Sequence, residues 1–433
     1  METYNVDAIF TWNTTRQNIF EGDSDTYYYY FKTQKAGSNF RLIYSYQKTA
    51  KYGFDFNCCI YEQTNYDGLS KVTVNPVPDT YYSPDYMKDM ITRSSSFTTF
   101  KFPDGITSIG PYAFTYCSHL ALTSLPSSIV SIGQYAFAYC TSLALTSLPS
   151  NLTSNILQYT FYGCTNLALT SLPSGIVSIG QYAFYGCTNL ALTSLPSGLT
   201  TINSYTFFGC TNLALTSLPS DITSINGYAF YGCASLALTS LPSGTTTISG
   251  YAFYDCTNLA LTSLPSSITG ISSYAFKNCT GLTTLSCTGV ITTLGSQAFL
   301  GDSSNHMQLI SVRFPNLALT SGISTVFGSS TAAAACQELE ICDIGKTASI
   351  SANAFANCYK LQTLILRKTT VCTLGNTSAF TNTPLSGYNG LTATVYVPSS
   401  LISSYQTASN WSTLYNAGNV TFSAIEGSDY ELD

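Results

Sequence analysis

A mostly β repeat solenoid is the fold class the sequence predicts, and three observations predict it. Cysteines closing a "YAFxxC"-like motif stand at Cys117, Cys140, Cys164, Cys187, Cys210, Cys233, Cys256 and Cys279, in steps of 23 residues with a single step of 24. The string "LALTSLPS" returns in phase seven times between Leu120 and Ser267. The unit "CTNLALTSLPSGIVSIGQYAFYG" spaces its leucines, proline, isoleucine pair and Ala-Phe pair too irregularly for one helix, and it is too short for two helices with loops. A fixed period near this length means that no unit buries its apolar side alone and that stacked units share one continuous core. One short strand, a compact return and a helical turn at "YAFYGC" fit the unit best.

The elements follow in chain order. Residues 1–93 hold nine of the 16 Lys and Arg, the run "YYYY" at Tyr27–Tyr30, and alternating stretches such as "FRLIYSYQ" and "KVTVNPV". That alternation argues for strands, so this part reads as a small β-rich domain for docking or capping. "TRSSS" (Thr92 to Ser96) is its linker. Residues 94–380 read as the array, from a first coil "FTTFKFPDGITSIGPYAF" to the decayed coils "LISVRFPN", "ICDIGKTASISANAFANC" and "LQTLILRKTTVCTLGNTSAF", about twelve 23-residue coils in all. Residues 381–433 read as a C-terminal cap. They give a strand in "ATVYV", one helix from Ser399 or Ser400 with Leu401, Tyr405, Trp411 and Leu414 on its apolar face, a last strand in "NVTFSAIEG", and an acidic tail. An open solenoid end exposes core and strand edge, which is the reason to expect caps.

The stretch "LPSGIVSIGQYAFYGCTNL" resembles the BspA-like class of leucine-rich repeats, and the likeness runs from about Phe97 to Phe380. The segment after Phe380 is similar to the closing segment of such chains. The resemblance implies a right-handed curved solenoid with a parallel sheet on its concave side. It also implies the company of bacterial and protozoan surface adhesins and host-interaction proteins, with similar repeats in tail proteins of gut phages.

Composition excludes several function classes. Charged residues make up 9% of the chain, against about 25% in ordinary soluble domains. The net charge of −6 leaves no basic field for nucleic acid or an anionic membrane. Between Cys117 and Cys279 the only charges are Asp221, Asp255 and Lys277. No apolar run is long enough for membrane insertion, and "METYNVDAIFTWNTTRQ" lacks the basic and apolar regions of a signal peptide. A long uncharged surface suits a virion, an extracellular face or a cell surface.

The cysteine row shows no C-x-x-C or Cys/His spacing, so the sequence predicts no metal and no cofactor, and the thiols read as buried apolar packers. Only His119 and His306 are present, and carboxylates are too sparse in the array for an acid/base pair. The expectation is a protein that is not an enzyme. Two tyrosine rows carry the most functional character. One row precedes the Ala-Phe pair and includes Tyr112, Tyr135, Tyr159, Tyr182, Tyr205, Tyr228, Tyr251 and Tyr274; the other follows it with Tyr162, Tyr185, Phe208, Tyr231 and Tyr254. Stacking between coils is the favoured role, and a binding stripe is the alternative. The candidate binding surface is Tyr135, Tyr159, Tyr182, Tyr205, Tyr228, Tyr251, Tyr185, Tyr231 and Tyr254, together with Thr170, Thr193, Thr216 and Thr239.

The central coils depart from the family's leucine spacing. Counting from Cys as zero, the coils after Cys279 and Cys358 have apolar residues at +3, +6 and +8, whereas the central coils have Leu at +3, +5 and +8 with Thr at +6. In one arrangement the family frame holds, and Leu122, Leu145, Leu169, Leu192, Leu215, Leu238 and Leu261 form an exposed leucine patch over buried threonines. In the other the corner shifts, the strand moves toward the Cys side, and all three leucines point inward. Burial at about 1.5–3 kcal/mol per leucine favours the second.

The functional expectation is a non-enzymatic binding or adhesion protein that presents an uncharged solenoid surface to a host-cell protein or glycan, as a phage tail, receptor-binding or surface component. The alternative is a purely structural part of a virion or surface assembly. In either case the N-terminal domain is expected to dock to neighbouring assembly proteins.

Overall fold

The computed structural model describes residues 107–432 except Tyr112, Thr153 and Ser154, and five strand segments among the first 106 residues. The expected linker, Thr92 to Ser96, and the first ten residues of the expected first coil, 97–106, lie outside the described residues. The strand segments are antiparallel: Thr11–Asn13 pairs with Tyr30–Lys32, and Asn39–Lys48 lies between Thr26–Tyr28 and Asp55–Thr64. The chain divides into two compact units, Met1–Leu192 and Thr193–Asp433.

The repeats form a parallel β-solenoid of about 13 turns with little helix, against the twelve expected. In the second unit, Thr201–Ile202, Ser224–Ile225, Thr247–Ile248, Gly270–Ile271 and Thr293–Leu294 form a five-stranded parallel sheet. Each isoleucine pairs with the isoleucine or leucine of the next coil, so register follows the sequence period. The first unit repeats the arrangement with Ser108–Ile109 beside Ser131–Ile132, and with a bridge between Ile156 and Ile179. The isoleucine of each strand is buried, and the residue before it faces outward, as alternation along a strand requires.

A second parallel sheet appears only where the family's spacing is kept. Thr284–Ser286, Ser311–Arg313, Ile341–Asp343, Thr363–Ile365, Ala393–Val397 and Val420–Ala424 form its six strands in chain order. The central coils place no strand at the equivalent position, which corrects the expected shifted strand. Backbone bonds still join these coils on the Cys side: the Ala237 N–H donates to Leu215 O at 3.1 Å, and the Ala260 N–H to Leu238 O at 3.1 Å. In the mirrored spacing Thr at +6 and Ser at +7 face outward in succession, and alternating strand geometry cannot do that.

The leucine question is thereby resolved. Leu145, Leu169, Leu192, Leu215 and Leu238 are fully buried, Leu261 is 1% exposed, and Leu122 is half-buried. The third leucine departs from expectation. Leu148, Leu241 and Leu264 are buried, but Leu125, Leu172, Leu195 and Leu218 are only half-buried. Thr and Ser at +6 and +7 are exposed in every central coil, from Thr123 and Ser124 to Thr262 and Ser263.

The core column is phenylalanine. Phe114, Phe137, Phe161 and Phe184 stack in the first unit with centroids 5.2, 5.7 and 5.5 Å apart. The second unit continues the same pattern from Phe207 to Phe380, and Trp411 closes it 5.8 Å from Phe380. The cap carries two six-residue helices, Ile402–Thr407 and Trp411–Asn416, rather than one helix. Asn410 breaks them with a φ of 64°. Buried Tyr405 and Trp411 hold the backbone of Cys372 between them: the Cys372 N–H donates to Tyr405 Oη, and Trp411 Nε1 donates to Cys372 O, both at 2.8 Å.

Candidate binding surface

The turn "YAFYGC" is not helical, contrary to expectation. Each described tyrosine before an Ala-Phe or Thr-Phe pair adopts a left-handed backbone, with φ from 57° at Tyr135 to 62° at Tyr274. That conformation costs an L-residue roughly 1–2 kcal/mol. The left-handed turn aims the flanking amides along the stack. The Phe161 N–H donates to Ala183 O at 2.9 Å and the Gly163 N–H to Tyr185 O at 2.7 Å, so the corner acts as a ladder between coils.

Rings offset the strain. In the first unit Tyr135, Tyr159 and Tyr182 stack at 4.4 and 4.7 Å, nearly parallel, and Tyr162 stacks on Tyr185 at 4.6 Å. In the second unit Tyr205, Tyr228, Tyr251 and Tyr274 stack at 4.6, 4.5 and 4.6 Å. Beside them Phe208, Tyr231 and Tyr254 stack at 4.5 and 4.6 Å. The two columns touch, with Tyr228 and Tyr231 at 5.9 Å. All these rings are half-buried. Burial raises the phenol pKa of Tyr251, and pushes that of Tyr254 up to about 12. A ring stacked on both sides has no free face, so the columns present edges and hydroxyls to solvent.

The candidate threonines stand differently. Thr170, Thr193, Thr216 and Thr239 are exposed. Their hydroxyls enter no hydrogen bond among the described residues. Other threonine hydroxyls join coils: Thr165 Oγ1 donates to Thr141 O and Thr188 Oγ1 to Thr165 O, each at 3.2 Å. The candidates therefore separate into stacked tyrosines engaged in the fold and Thr/Ser pairs with spare hydrogen-bonding capacity.

The thirteen described cysteines are free and buried. Most donate S–H to the phenylalanine carbonyl of the coil before, as Cys164 does to Phe137 O and Cys256 to Phe230 O at 3.0 Å. Burial, with neighbouring thiols adding to it, pushes Cys140 and Cys233 well above the usual thiol range. Among the described residues no three His, Cys, Asp or Glu side chains gather as metal ligands, and no helix is long and apolar enough to cross a membrane.

One cluster escaped sequence reasoning. Buried Asp343 accepts from Arg367 Nε at 2.8 Å, and Arg367 Nη2 donates to Tyr430 O at 2.7 Å. The Arg313 guanidinium lies 5.2 Å from the Tyr430 ring centroid. These residues are far apart in sequence and fall in decayed coils and the C-terminal cap, so no repeat phase flags them.

The profile of the BspA type leucine rich repeat region, in six copies, matches residues 88–214, 177–306 and 304–407. A leucine-rich repeat protein from Bacteroides ovatus is similar at 20% identity over 76% of this chain and 92% of its own, with a TM-score of 0.47. A leucine rich cell surface protein from Faecalibacterium prausnitzii is similar at 23% identity over 74% and 89%, with a TM-score of 0.41. The T. pallidum leucine rich repeat protein shares 28% identity over 42% and 76%, with a TM-score of 0.30. No curated protein matches. Repeat proteins of this family are generally non-enzymatic and often lie at the cell surface, which suggests binding or adhesion. Matched by that profile over most of its length, the chain belongs to the BspA-type leucine-rich repeat family.

Proposed function

We propose that the chain is a non-catalytic adhesion protein whose uncharged Thr/Ser strip binds a host surface glycan or protein. The supporting observation is the strip itself: each central coil leaves two adjacent hydroxyls exposed at the same corner, while threonines such as Thr165 and Thr188 are used to join coils. Repeated hydroxyls with no charge beside them suit a polyhydroxylated ligand, because each can donate and accept. The setting that fits is a cell surface or extracellular face. A virion or phage tail is a narrower version, with the N-terminal region docking to neighbouring proteins, and localising the chain by fractionation separates the two.

The test is binding of the full chain to a glycan array and to host cells, with Thr216→Lys, Thr239→Lys and Thr262→Lys combined. Exposed substitutions of this kind change stability by less than about 0.5 kcal/mol each, so the variant stays folded. Binding should fall at least tenfold. Unchanged binding by the triple variant would remove the strip from the proposal. The stacked tyrosines favour a second reading, a structural spacer, which predicts no ligand at all.

A further inference from the structure

The two aromatic columns of the second unit end in the same place. After Tyr274 the tyrosine position passes to Gln297 and then Thr325; after Tyr254 the neighbouring position passes to Lys277 and then Leu300. Rings give way to shorter side chains, and a cavity of about 460 Å³ opens there, lined by Lys277, Gln297, Leu300, Thr325, Asp302 and Ser329 among others. Four of these six are the successors of the ring positions, so the cavity is the room the missing rings would have filled. Its size lies in the roughly 300–1,000 Å³ range of small-ligand sites.

The chemistry of the lining is distinctive for this chain. Lys277 is one of the three charges between Cys117 and Cys279, and it lines the cavity together with Asp302. Lys277 Nζ sits 5.8 and 5.5 Å from the ring centroids of Tyr254 and Tyr274, and donates to Gln297 Oε1 at 3.4 Å. Next to Lys277 in sequence, buried Asn278 donates through Nδ2 to Asp255 Oδ1 at 2.7 Å and to Oδ2 of the lining residue Asp302 at 2.8 Å. The Asn278 Oδ1 is buried with no partner. A buried acceptor without a donor is unfavourable, so the network is one donor short.

We propose that this cavity is a subsite for one neutral pyranose residue of a glycan, which rests on the reading of the chain as a glycan-binding adhesin. The Lys277 and Asp302 charges cancel within the lining, which selects a neutral ligand. Gln297, Thr325 and Ser329 supply donors and acceptors together, as ring hydroxyls require. The space continues a stack of six-membered rings and so has the breadth of one more.

The experiment uses the full chain, a panel of methyl pyranosides and saturation-transfer NMR. Ser330→Trp fills the cavity from an exposed rim position and leaves the fold intact; Gln297→Ala removes a lining group. At least one pyranoside should receive saturation from the unmodified chain. The transfer should fall at least tenfold in Ser330→Trp and stay unchanged in Thr216→Lys. Glycan binding that is equal in Ser330→Trp and the unmodified chain overturns the subsite while leaving the adhesin reading standing. Failure of every glycan to bind the unmodified chain overturns both.

Discussion

Exchanging Leu215 and Thr216 restores the family's leucine spacing in one central coil and tests why the corner takes its present form. Leu215 is fully buried and Thr216 is exposed. The double variant Leu215→Thr, Thr216→Leu takes a leucine out of the core, which costs about 1.5–3 kcal/mol. It also buries a hydroxyl with no partner, which costs about 1–3 kcal/mol more. The leucine placed at the surface recovers little. The expected loss is therefore about 2.5–6 kcal/mol, at or above the roughly 2–5 kcal/mol typical of Leu→Ala alone. Urea unfolding followed by circular dichroism gives the first measure. Long repeat arrays lose two-state behaviour, so the earliest transition is the one to compare. Hydrogen exchange at Ala237, whose N–H donates to Leu215 O, gives the local measure. An unchanged transition with slow exchange at Ala237 would refute the reasoning. It would mean that the spacing of one coil sets its own corner, as it does at Thr284–Ser286, and that the neighbours impose nothing.

Two further outcomes follow from buried chemistry. Ten of the thirteen described thiols have a folded-state pKa raised by burial, so their contribution to stability is complete below the unfolded thiol pKa and is lost as pH rises above it. The midpoint of thermal unfolding should fall steeply above about pH 9, and a thiol reagent should label none of these cysteines in the folded chain; a flat profile to pH 10 contradicts the thiol account. Arg367→Met leaves the carboxylate of Asp343, itself 2% exposed, without its ion-pair partner and should cost about 3–5 kcal/mol in chemical unfolding, whereas a loss below about 1 kcal/mol would show that Asp343 finds other compensation.

Periodicity made the solenoid legible. A phase repeated in eight cysteines leaves little freedom for alternatives, and the buried Ala-Phe pair, the cysteine column and the inward leucine at +5 all follow from it. The missing second sheet in the central coils was not legible, because it depends on which of two backbone pairings a mirrored L-x-L-x-x-L segment can satisfy. The left-handed turn was hidden for a related reason. Glycine marks such backbone in most sequences, and here it stands at Gly163, Gly186, Gly209 and Gly232 but not at the tyrosine position beside them. Thr193 and Tyr205 looked equivalent as candidates; only the observed partners show one hydroxyl free and one ring engaged. The cavity beside Lys277 was not visible either, since it arises from rings that are absent.

The choice of tyrosine at a left-handed position bears on where binding can occur. Gln297 and Asn353 occupy the same position in later coils with φ of 57° and 60°, so the backbone is kept whatever the side chain. A tyrosine there sacrifices roughly 1–2 kcal/mol of backbone energy, and each stacked pair returns about 0.5–1.5 kcal/mol beyond its burial. An interior ring such as Tyr228 has two such pairs, with Tyr205 and Tyr251, so the column balances its strain only while it is continuous. A ligand that pried rings apart to reach their faces would lose that balance at every coil it touched. Recognition along the column is thus confined to edges and phenol hydroxyls, and ring-sized ligands fit only where the column stops. The same reasoning makes the exposed Thr/Ser pairs the cheaper surface to use, since nothing in the fold depends on their hydroxyls.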